Sequence, residues 1–189
     1  MTGVNWRTAL AYCTWLNDKL AEMPDNAIAQ LVRAGWRVTL PSELEWEKAA
    51  RGGLSDATYP WGDGADANRT NYRNTAIGGT SAVGCFPAND YGLRDMSGNV
   101  WEWTRSLWGK GWEKPQFAYP YDPADRQRED LDAGDVVLRV VRGGSWHLHR
   151  DFARCAFRFK SLPANRADYL GFRVLLRSSP VLPLRSPSL

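Results

Sequence analysis

Few side chains in this sequence could carry covalent or metal chemistry, and their spacing decides how far each can go. Cys13, Cys85 and Cys155 are widely separated and form no Cys-x-x-Cys pair, so neither a zinc site nor a disulfide framework is indicated, and a reducing compartment or at most one bridge fits. His147 and His149 are the only histidines, one residue apart and without a carboxylate at metal-ligand spacing, which is a weak metal pattern. Both lie in "GGSWHLHRDFARCAFRFKSLPANRADYLGFRV", residues 143 to 174. Here a grammar of Gly, Ser-Trp, Arg, Cys, Pro, Asn-Arg and Gly-Phe-Arg alternates with positions such as His147, Leu148, Phe152, Phe159 and Tyr169 that follow no hydrophobic period. A frame of tight turns and arginine hydrogen bonds can hold loops whose outward side chains contribute nothing to folding, and the residues alone leave open what such a frame is for.

The elements that must position this segment are legible in part. Trp6, Leu10, Cys13, Leu16 and Leu20 recur at helical spacing behind an Asn5 cap, and Pro24 ends the run. A second, shorter helix is expected from Asn26 to Ala34 with Ile28, Leu31 and Val32 inward and Gly35 closing it. In "LPSELEWEKAARGG" Ser42 and Glu45 form a capping box, and Gly52-Gly53 stops the third helix. From Leu54 to Asp135 the text is rich in Gly, Pro, Asn, Asp and Trp and reads as ordered loops. "VVLRVVR", 136 to 142, and "GFRVLL", 171 to 176, are the strand candidates. Beyond Arg177, "SSPVLPLRSPSL" has three prolines and no pattern, so residues 178–189 are expected to be a disordered tail on a single domain spanning 1–177.

Bulk properties narrow the classes of partner. The length of 189 residues with 43% hydrophobic and 24% charged content suits one globular domain. Ten tryptophans point to a core of aromatic plates, a binding surface, or both. A net charge of +3 announces neither nucleic acid nor a membrane surface. The eight Arg or Lys against two Asp in residues 142 to 177 are read mainly as ties to backbone carbonyls. The N-terminus lacks a basic region followed by an apolar stretch, and no run approaches 18 apolar residues, so no membrane insertion is expected. The expected location is cytoplasmic, or exported through a portion outside this chain.

Five stretches, "LPSELEWEKAARGG", "YPWGD", "YGLRDMSGNVWEWT", "RVVRGGSW" and "NRADYLGFRV", occur in an order that resembles the formylglycine-generating-enzyme-like, or sulfatase-modifying-factor, domain. The resemblance runs from about Val4 to Leu176 and implies an α+β, C-type-lectin-like fold, loop-rich, with a few helices and a small twisted antiparallel sheet. It also implies that the family's N-terminal portion, with its own strands, is missing before "VNWRTALAYCTWLN".

The same resemblance bears on chemistry. The family's oxidases carry two cysteines after the Gly-Gly-Ser-aromatic turn, and counting from Trp146 puts Leu148 and Ala153 there. Neither offers the thiolate that copper binding or a mixed disulfide requires, so no enzyme of the oxidase kind and neither copper nor iron is expected. The alternative is a divergent enzyme of the family. Residues 143–174 are instead similar to the variable region of diversity-generating retroelement proteins. The frame is Gly143, Gly144, Ser145, Trp146, Arg150, Ala153, Arg154, Cys155, Arg158, Pro163, Asn165, Arg166, Gly171, Phe172 and Arg173. The contents, which would form the ligand-binding surface, are His147, Leu148, His149, Asp151, Phe152, Phe157, Phe159, Lys160, Ser161, Leu162, Ala164, Ala167, Asp168 and Tyr169. An aromatic patch of this kind suits a protein partner rather than nucleic acid. Finally, the turn "DMSGNVWE" matches a calcium loop of the enzymes, which would place structural calcium on Asp95 and Glu102 with the carbonyls of Gly98 and Val100. The competing reading is an Asx-turn followed by a strand with Glu102 in an ion pair.

Overall fold

The computed structural model describes residues 2–178 apart from Tyr121, Pro123 and Ala124. The Asn5 side chain accepts from Thr8 N and starts α1, Trp6–Glu22, while Asn26 accepts from the amides of Ile28 and Ala29 to start α2, Ala27–Arg33. The inward side of α2 differs from expectation. Val32 is buried, but Ile28 and Leu31 are exposed and Ala29 takes the inward place, because a helix of seven residues shows its neighbour only an i, i+3 pair. β1, Trp36–Thr39, follows. In α3, Glu43–Arg51, both halves of the Ser42/Glu45 capping box form, and Gly52 closes the helix in the left-handed conformation.

Within the stretch expected to be loops lies the longest strand, β2, Trp101–Gly109, buried along its whole length. It escapes a periodicity reading because its polar side chains are buried too and are satisfied by specific partners. Thr104 Oγ1 donates to Val140 O at 2.9 Å, Ser106 Oγ accepts from Glu43 N, and Arg105 pairs with Glu45 and Glu129. β3, Leu138–Arg142, lies antiparallel to β2 with two register shifts, and β4, Phe159–Ser161, forms the edge beyond it.

The "GFRVLL" run is not one strand. Leu170–Phe172, β5, joins the other side of β2 in parallel, while Leu175–Ser178, β6, pairs antiparallel with β1 in a separate two-stranded sheet. The four-stranded sheet therefore has the order β4-β3-β2-β5 with one parallel pair in an otherwise antiparallel arrangement. Ser178, assigned above to the tail, is the last residue of β6 opposite Trp36, and the rest of that expected tail lies outside the described residues.

Indole rings fill the core between these layers. Trp6, Trp46 and Trp103 are fully buried, and each finds an acceptor for its N–H: Thr104 O, Glu102 Oε2 and Val4 O. The buried Arg139 guanidinium lies 3.7 Å from the Trp6 ring and donates to the carbonyls of Arg105 and Asp130. Among the described residues no helix is long and apolar enough to cross a membrane.

Candidate functional site

Residues 143–170 run between two points on opposite sides of the same residue of β2, and touch the sheet once on the way, where β4 pairs with β3 at the far edge. Arg142, the end of β3, is opposite Glu102 on one side of β2, and Gly171 of β5 is opposite Glu102 on the other. Between these points the backbone is fastened at short intervals. Gly143 O accepts from Gly98 N at 2.7 Å, Trp146 N donates to Asn99 O, and Ala153 O accepts from Ser97 Oγ. Cys155 N donates to Thr58 O, and Pro163 O accepts from Trp6 N. Arg142 also reaches the carbonyls of Cys155 and Ala156. Gly144 has φ +75°, and a Cβ on it would stand 2.8 Å from the Phe152 carbonyl oxygen, so the turn has no room for a side chain.

Side-chain exposure divides this segment. None of the fourteen content residues is buried: His149, Asp151, Phe159, Ala164, Asp168 and Tyr169 are exposed and the others half-buried. Of the frame, Gly143, Gly144, Ser145, Ala153, Cys155, Pro163 and Gly171 are buried, but Arg150, Arg154, Asn165 and Arg166 are exposed. Frame arginines thus serve two ends. Arg158 reaches the fully buried Glu43 and Arg173 binds Glu102, while Arg166 has only a 3.5 Å contact with Thr8 Oγ1.

Several of the contents meet. Phe159, Lys160, Ser161, Ala167 and Tyr169 surround a cavity of about 310 Å³ together with Arg166 and Asn165, over a floor of Trp101, Val141 and Leu170. Trp101 stacks on Phe159 at 5.3 Å and lies 6.1 Å from Phe157, which in turn touches Phe152. His147 bridges Trp146 and Tyr169. Burial pushes the His147 imidazole below its ordinary pKa, with Arg73 adding to the effect against Asp168. Leu148, Phe152, Phe157 and Ala167 rest on the main core, whereas Leu162 packs on the separate cluster of Trp108, Leu138 and Val140. His149 and Asp151 pair with each other in solvent. Trp101 and the exposed Trp112, which completes the cavity wall, were not singled out from sequence; the excess of tryptophan was the available signal.

The thiol positions inferred from the family hold a half-buried Leu148 and a buried Ala153. Cys155 is wholly buried, and desolvation pushes its thiol up to about 11, against the pull of Arg51. Cys13 is raised likewise to about 11, and Cys85 is exposed.

The four residues matched to a calcium loop, Asp95, Gly98, Val100 and Glu102, line one cavity of about 320 Å³. Asp95 Oδ2 accepts from Gly84 N, whereas its Oδ1 is buried without a hydrogen-bond donor. Glu102 is already served by Arg173, at 2.5 and 2.7 Å, and by Trp46. The Asp95 Oδ1 atom is the open acceptor that a hard cation would need, while both Glu102 oxygens are held by Arg173, the ion pair that the competing reading expects. Among the described residues no group of three or more His, Cys, Asp or Glu could hold a metal.

Helices packed around a curled, loop-connected sheet whose central strand is flanked by both ends of one long excursion define a C-type-lectin-like domain of the formylglycine-generating-enzyme type. The family profile described as "Sulfatase-modifying factor enzyme 1-like domain" matches residues 1–178, and the chain belongs to that family. The chain is 33% identical over 186 residues to "Formylglycine-generating enzyme" of Mus musculus, covering 90% of this chain and 42% of that protein. It is 35% identical over 188 residues to "Inactive C-alpha-formylglycine-generating enzyme 2" of Bos taurus, covering 90% and 48%. The chain thus spans less than half the length of these curated relatives. In structure it is similar to "Treponema denticola variable protein 1", with a TM-score of 0.67 and 27% identity over 92% of this chain and 69% of that one. PvdO from Pseudomonas aeruginosa is similar at a TM-score of 0.64 and 26% identity, over 92% and 60%.

Proposed function

We propose that this chain is a non-catalytic ligand-binding protein that presents the contents of residues 143–174 to a protein partner, in the manner of a retroelement-diversified variable protein. The observation that carries the reading is the separation of roles within one segment. The backbone from Gly143 to Pro163 is tied to the body of the domain, while all fourteen content side chains keep solvent-facing area. Such a segment can exchange the contents that do not rest on the core without loss of fold, which is what a variable recognition surface needs. The likeness in structure to a protein titled a variable protein supports the same reading.

The expected absence of catalysis rests on Leu148 and Ala153 at the thiol positions and on the burial of Cys155. Incubation with copper and a sulfatase-type cysteine peptide, followed by mass spectrometry, should return the peptide unchanged. The 33% identity to a formylglycine-generating enzyme favours the alternative of a divergent enzyme, and formylglycine formed at a catalytic rate would establish it. Calcium, in this proposal, is structural: Asp95 and Glu102 with the carbonyls of Gly98 and Val100 would hold it and supply rigidity rather than chemistry.

A further inference from the structure

We infer that the cavity floored by Trp101 takes an acidic protein segment, one in which an aspartate or glutamate neighbours an aromatic or bulky aliphatic side chain. The inference rests on the reading of residues 143–174 as the binding face and adds the chemistry of what that face selects. Two cations, Lys160 and Arg166, line the cavity and no carboxylate does; the exposed Asp168 lies outside the lining. Lys160 has its Nζ 4.8 Å from the Phe159 ring, 5.2 Å from Trp108 and 5.9 Å from Trp112. Ring faces attract an ammonium but do not neutralise it, and they displace part of its water. Among the described residues neither Lys160 nor Arg166 forms an ion pair.

A half-buried cation framed by three rings is prepared for a carboxylate, since part of the cost of ordering its side chain is met in the free protein. The surrounding surface is apolar. Trp112, Phe159 and Tyr169 are each more than a third exposed around a floor of buried Trp101 and Leu170, a setting suited to one inserted ring or branched side chain. Basic segments meet like charge at Lys160 and Arg166 and are rejected. The arrangement differs from the cations around α3, whose carboxylate partners are within the domain.

The test is a selection of random short displayed peptides on the whole chain, with three variants as parallel baits: Lys160→Gln with Arg166→Gln, Lys160→Glu with Arg166→Glu, and Phe159→Ser with Tyr169→Ser. The expected winners carry Asp or Glu beside Trp, Phe, Tyr or Leu, and weaken about tenfold or more on the glutamine bait and with added salt. The glutamate bait should enrich Lys- and Arg-bearing peptides instead, a reversal that a misfolded protein cannot produce. Non-acidic winners lost only on the serine bait would overturn the acidic preference and leave the binding face standing. Winners retained on all three baits, or a selection that enriches nothing, would overturn both.

Discussion

The surroundings of α3 and the aromatic face above Trp101 are both rich in arginine, lysine and rings, yet they use them in opposite ways. Around α3 each acidic side chain is surrounded by cations. Glu43, fully buried, receives Arg128 and Arg158; Glu45 receives Arg105; Glu47 receives Arg51, Arg142 and the Tyr119 hydroxyl. Burial pushes the Glu47 carboxyl up, but Arg142 and Arg51 together outweigh it and hold the group below its usual range. At the aromatic face Lys160 and Arg166 have rings and a hydroxyl for company. The difference teaches how a reader of this fold should treat a cation. One that ends on a buried glutamate belongs to the architecture, and one that ends on rings keeps its charge unpaired by the fold.

Breaking the α3 side of this contrast should have the largest effect. Glu43→Ala removes the buried carboxylate that Arg128 and the half-buried Arg158 share and should cost about 3 to 5 kcal/mol in urea denaturation. A loss below about 1 kcal/mol would mean that water or relaxation replaces the carboxylate and that the ion pairs around α3 are not structural. Next is Arg173→Ala, which strands Glu102 and the carbonyls of Arg94 and Asp95 and should cost about 1 to 3 kcal/mol by the same measurement.

Calcium sharpens the contrast, because the proposed ligands lie in the architectural half. At calcium about tenfold above its Kd the native state should gain about 1.4 kcal/mol, seen as a raised Tm relative to chelator. The joint change Asp95→Ala and Glu102→Ala should remove the difference between the two melting curves. Identical curves for the unaltered chain would remove calcium from the site.

The smallest effects belong to the face itself. Changing His149 to serine should alter stability by about 0.5 kcal/mol or less, and Phe159 or Tyr169, which each touch one other ring, by about 1 kcal/mol, while partner binding falls. Losses above about 2 kcal/mol at these positions would show that they pack as core, and the division into frame and contents would fail.

How far the sequence reveals this molecule depends on whether a residue's neighbours are local. The caps at Asn5 and Ser42 are legible because each side chain serves an amide three residues away, whereas Asn26, expected as the first residue of its helix, is the cap before it. β2 is not, because Arg105, Thr104 and Ser106 become acceptable in a buried strand only through Glu45, Val140 and Glu43, far off in sequence. The division of "GFRVLL" between two sheets is equally invisible in a six-residue apolar run, since nothing local says which partner each half will meet. At the site, the pattern-breaking positions of 143–174 pointed to surface side chains, but the floor of the cavity came from Trp101 on a strand that periodicity passed over. Of the frame, glycine and cysteine positions are buried as turns and small fillers, whereas Arg150, Arg154 and Arg166 have the same letter as Arg158 and none of its burial.

The return of the chain to Glu102 gives the excursion the geometry of a cassette. Arg142 and Gly171 flank one residue of β2, so the two ends of the intervening stretch are separated by about two strand spacings, near 10 Å. Joining points that close together depends only weakly on what lies between them, since doubling the length of a flexible loop costs about 0.6 kcal/mol in closure. Insertions and deletions should accordingly be absorbed near the exposed Ala164, between the ties at Pro163 and at β5, and less readily where the backbone is fastened to Gly98, Asn99 and Thr58.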